Sequence, residues 1–62
     1  MIMCNDGTTV TQMGSFIHAR EGVYTLTGTM LTGPGGFCAM NVRSIGEAVG
    51  IVVGLHGGRR FK

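Results

Sequence analysis

The sequence predicts an α+β protein: a small antiparallel sheet of three to four strands in a β-meander, followed by one C-terminal helix packed on one face, the protomer being completed as a dimer. Three observations predict it. Residues 1–42 divide into β-branched and aromatic runs separated by turns rich in Gly, Asn and Pro. Ser44 and Glu47 then stand at the spacing of a capping box ahead of an apolar run. Lastly, a chain of 62 residues with 13% charged side chains lies near the lower size limit for a self-sufficient core and well below the usual quarter of charged residues. That balance favours burial against another copy.

Met1–Cys4 is a short apolar stretch, long enough for a short first strand, closed by Asn5-Asp6-Gly7, residues that tolerate positive φ, so a turn is expected there. Thr8–Met13 sets Val10 among polar neighbours, which suits a hairpin partner for that stretch, an edge strand or equally a loop, until Gly14-Ser15 interrupts it. Phe16–Ala19 and Val23–Leu31 flank Arg20-Glu21-Gly22, which suits a short hairpin loop. Alternation along the second arm puts Tyr24, Leu26, Gly28 and Met30 on the face that the helix covers. Val23, Thr25, Thr27, Thr29 and Leu31 fall on the solvent face. Thr32–Gly36 contains Pro34 and forms a turn, and Phe37–Val42 is the next strand.

The helix is expected from Ser44 to His56. The Ser44 hydroxyl would accept from the Glu47 amide while the Glu47 carboxylate accepts from the Ser44 amide, and Gly57-Gly58 would close the far end. Helical periodicity places Ile45, Ala48, Val49, Val52 and Leu55 on the core arc, with Gly46, Gly50 and Gly54 on a second stripe flanked by Ile51 and Val53. Each interior glycine costs about 1 kcal/mol against alanine. A close helix contact would offset that cost, so Gly46, Gly50, Ile51, Val53 and Gly54 form the expected dimer interface. Ile51-Val52-Val53 also suits a strand; the capping box decides for the helix.

The chain is expected to be one domain, residues 1–62, with a basic tail over 57–62. Its net charge of +2 is mild. Arg59, Arg60 and Lys62 cluster and, with Arg20, are the expected contacts to a partner, although they fall short of a sustained nucleic-acid patch. No leader follows Met1 and the longest apolar run, Ala48 to Leu55, is too short to span a bilayer. A cytoplasmic protein with Cys4 and Cys38 as free thiols is therefore expected.

Cys4, His18, Cys38 and His56 lack the close pairing of a zinc site, so no metal and no cofactor are expected. The glycines around Pro34 lead into a strand and carry no phosphate-loop lysine, and Gly36–Met40 lacks the basic residue and second aromatic of an RNA-binding strand. Asp6, Glu21 and Glu47 provide no paired acid and base, and a Cys38–His18 dyad would need a sizeable enclosed pocket for which the chain is too small. These observations argue against an enzyme. The expected function is that of a non-catalytic homo-oligomeric binding protein acting by protein–protein contact, by analogy with small accessory and inhibitory products of phages and mobile elements. The alternative is a small nucleic-acid-binding protein that uses a sheet face and the basic tail.

Overall fold

A computed structural model describes residues 1–59 of the chain. They form a six-stranded antiparallel meander followed by one helix: β1 (Ile2–Met3), β2 (Thr9–Met13), β3 (Phe16–Ala19), β4 (Gly22–Thr27), β5 (Met30–Thr32), β6 (Cys38–Ala39) and α1 (Ile45–Leu55). The strands lie side by side in chain order, as expected when each is joined to the next by a short turn. The α+β meander with a C-terminal helix matches expectation, but the strand number is six instead of three or four.

Part of the difference is that Ile2–Met3 and Thr9–Met13 are both strands and pair with each other; the rest arises within Val23–Leu31, which is not one strand. Thr27 pairs with Met30 across the two-residue loop Gly28-Thr29. Gly28 has φ +62, the left-handed conformation that a tight hairpin needs at its first loop position. The reversal exchanges the expected facing beyond it, so that Leu31 is buried while Met30 is 37% exposed. Phe37–Val42 likewise keeps only Cys38–Ala39 as strand, paired with Leu31 and Thr32.

One residue from each of four successive strands, Val10, Ile17, Tyr24 and Leu31, is almost wholly buried on the inner face. They are spaced seven apart because the chain reverses at that interval. Cys4, Val42, Ala48, Val52 and Val53 complete the core. The Tyr24 ring meets Phe37 edge to face, with centroids 5.2 Å apart. Gly33 lies so close to that ring that a Cβ there would stand 2.2 Å from Tyr24 Cδ2.

α1 runs from the Gly28 end of the sheet to the opposite end. Its entry is fixed by the Val42 amide donating to Thr29 O at 2.8 Å. Ser44 Oγ accepts from the Glu47 amide at 3.2 Å, while Glu47 Oε1 accepts from the Arg43 amide at 3.0 Å. The box is therefore present but displaced by one residue from the expected Ser44 amide. At the exit, Gly58 N donates to Val53 O at 2.9 Å and Gly57 N to Gly54 O at 3.2 Å, the paired bonds of a Schellman cap. Ala48, Val52 and Val53 are buried, whereas Leu55 is 52% exposed. The core arc is thus turned toward Val53 relative to the expected arc, because the helix lies chiefly over β2 and β3. No helix among the described residues is long and apolar enough to cross a membrane.

Candidate functional site

The end of α1 assembles a polar cluster from three parts of the chain. His56 Nδ1 lies 2.6 Å from Asp6 Oδ2, and its Nε2 lies 2.9 Å from Glu21 Oε1. In the imidazolium form each carboxylate accepts from one ring N–H. Thr8 Oγ1 lies 3.3 Å from the same Nδ1, and the Tyr24 hydroxyl donates to Glu21. The turn chemistry of Asn5-Asp6-Gly7 positions the first carboxylate, whose Oδ1 accepts from the Thr8 amide at 2.9 Å. The Arg20-Glu21 loop positions the second.

The electrostatics reinforce this closure. The Thr8 amide, followed by the His56 bond, lowers Asp6 from 3.8 to about 2. Burial opposes ionisation of Glu21, but bonds from Tyr24, its own amide and His56 outweigh it and hold the carboxyl below 4.5. The Asp6 bond, helped by Glu21 and opposed by burial, raises His56 above 6.5. Burial and then Glu21 push Tyr24 up to about 12.

With both ring nitrogens engaged, His56 offers no free lone pair for proton abstraction, and the cluster serves as a clasp between the helix end and two loops. The adjacent Cys4 is buried, and burial followed by Asp6 and Glu21 raises its thiol pKa, the opposite of nucleophilic activation. Cys38 is exposed on β6 while His18 lies on β3, so β4 and β5 separate this candidate dyad. Among the described residues, no group of three His, Cys, Asp or Glu side chains is placed to hold a metal ion.

The expected interface residues are split by the fold. Gly46, Gly50 and Gly54 are exposed, and Cβ atoms at Gly50 and Gly54 would meet nothing within 4 Å. Ile51 is half-buried. Val53 is a correction: at 3% exposure it belongs to the core and forms no ridge beside the stripe. Arg20 and Arg59 are both exposed, Arg20 in the β3–β4 loop and Arg59 bridged through its backbone to Cys4. Arg60 and Lys62 lie outside the described residues. Arg20 and His18, with Thr8, Thr9 and Thr11, line an open depression of about 390 Å³ at one corner of the sheet.

A larger feature was not among the expectations. The strand registers place Met3, Thr9, Thr11, Met13, Phe16, His18, Val23, Thr25, Thr27, Met30, Thr32 and Cys38 on the face away from α1. Five of the eight large apolar side chains that are exposed, Met3, Met13, Phe16, Val23 and Met30, stand here. Among the described residues, no strand contains Asp, Glu, Lys or Arg. The signal was available in the uncharged strands of the sequence, but the facing of each side chain required the turn positions. No family model, curated protein or solved structure matches this chain.

Proposed function

We propose that the protein is a non-catalytic, self-associating binding protein that works by protein–protein contact, in an accessory or inhibitory capacity. The observation that carries this reading is the concentration of exposed apolar side chains on an uncharged sheet face. Monomeric proteins rarely expose a large contiguous apolar patch without a use for it. The engagement of both His56 nitrogens by carboxylates supports a binding role over acid–base chemistry. Sedimentation equilibrium of the untagged full chain tests the reading, with a dimer expected at about 100 µM. A protein that stays monomeric up to that concentration would remove the self-association half of the proposal.

The second reading, nucleic-acid binding, draws on the Arg20–His18 depression and its threonine hydroxyls. It predicts an affinity for single-stranded RNA or DNA that falls steeply as salt rises, through counterion release. Absence of any binding at low salt would dispose of it.

A further inference from the structure

We infer that the bare outer face of the sheet is where two copies of this chain meet, packed face to face as a two-sheet sandwich with α1 of each copy on the outside. The inference rests on the self-association proposed above and adds the surface and its occupant.

An antiparallel sheet with one solvated face ordinarily alternates apolar residues with charged or strongly polar ones. Here the outward positions are Met, Phe, Val, Thr, His and Cys. One row across the sheet, formed by direct cross-strand neighbours, reads Met13, Phe16, Thr25, Thr32, Cys38. The next contains Thr11, His18 and Val23. All six charged residues among those described lie elsewhere: Asp6, Arg20 and Glu21 in the loops at one end, Arg43 and Glu47 at the start of α1, and Arg59 beyond it.

The absence of charge selects the occupant. A partner bringing carboxylates or ammonium groups to this face would have to strip them of water with no opposite charge in return. A second copy presents the same uncharged surface, in which threonine hydroxyls can serve each other as donor and acceptor and flexible methionines fill the gaps. A two-fold axis through the face makes the contact self-complementary, and aligned sheets pack about 10 Å apart with side chains interleaved.

The dimensions point to a weak contact. The strands are two to six residues long, so six strands at about 4.8 Å spacing and roughly four residues deep on average make a face of about 29 by 13 Å. Two such faces bury on the order of 700 Å², the low end that weak, transient pairs occupy, so association is expected only at high micromolar concentration. The glycine edge of α1 offers little competing area, because its residues have no side chains and Val53 is already in the core.

The experiment compares the full chain with Phe16→Lys, Met13→Lys and Gly50→Leu by sedimentation equilibrium, with circular dichroism to confirm folding. Both lysine variants should be folded monomers, their dimer affinity reduced at least about 30-fold, as expected for a central interface position, while Gly50→Leu stays dimeric. Met13 is 61% exposed, so Met13→Lys decides the matter if Phe16→Lys fails to fold. Lysine variants that remain dimeric overturn the inference, and dissociation by Gly50→Leu in the same experiment would move the interface to the helix while leaving self-association intact. A wild-type chain that is monomeric throughout overturns both proposals.

Discussion

Phe16 and Ile17 are neighbours on β3 and face opposite ways: Ile17 has no exposed surface, whereas Phe16 is 49% exposed. The same contrast holds across the meander. Inward residues other than the exposed Gln12 are apolar or aromatic and packed under α1 or the Gly33–Phe37 turn, while outward residues include apolar side chains with no described segment above them. The inner face therefore accounts for why the chain folds. The outer face, whose composition folding alone does not require, is where function is to be sought.

The largest expected effect is on the inner face. Ile17→Ala should destabilise the fold by about 2 to 5 kcal/mol, enough to unfold much of so small a domain at room temperature; denaturant titration will show it, and a loss below about 1 kcal/mol would mean that the core does not depend on this position. Gly33→Ala comes next. Its φ of −151° suits any residue, so the cost of about 1 to 3 kcal/mol would come from displacing the Tyr24 ring, measured as a lowered melting temperature together with a change in the tyrosine near-ultraviolet signal.

The clasp at the sheet end follows, through pH. The contributions of Asp6 and Glu21 are complete above their ordinary values of 3.8 and 4.5 and are lost as pH falls, for Asp6 through about 2. That of His56 is complete below 6.5 and is lost as pH rises through its raised value. The melting temperature should therefore be highest between pH 4.5 and 6.5, and His56→Gln should flatten the decline on the alkaline side. An unchanged alkaline decline in that variant would assign the dependence to another group.

Two smaller effects sharpen the contrast between covered and open surface. Gly50→Ala should stabilise the chain by about 0.5 to 1 kcal/mol, since the helix gains propensity and a Cβ meets nothing; a loss of stability would reveal a close neighbour on that edge. Phe16→Lys, measured at concentrations dilute enough to keep the chain monomeric, should change stability by no more than about 0.5 kcal/mol. A large loss there would mean that the outer face is already part of the protomer's own core.

Much of the fold was legible because it depends on contacts only a few residues long. Ser44 and Glu47 located the start of α1, Gly57-Gly58 its end, and Asn5-Asp6-Gly7, Gly14-Ser15 and Arg20-Glu21-Gly22 the first three reversals. The fourth was missed because Val23–Leu31 carries strong strand residues on both sides of Gly28. Yet Thr25-Leu26-Thr27-Gly28-Thr29 repeats the arrangement of Thr11-Gln12-Met13-Gly14-Ser15 fourteen positions later, and that spacing was the available signal. Facing beyond an unread turn cannot be right, since a reversal resets the two-residue alternation. Met30 and Leu31 were exchanged for this reason.

By itself the sequence determined the class of fold, the helix limits, most of the turns and the absence of charge from every strand, all properties of neighbouring residues and their torsional preferences. Only the tertiary structure decided that Val53 and not Leu55 enters the core, that the glycine edge faces outward, and that His56 meets Asp6 and Glu21 from 50 and 35 residues away. Those outcomes depend on how the helix settles across the sheet, a matter of packing between distant segments that no local pattern encodes.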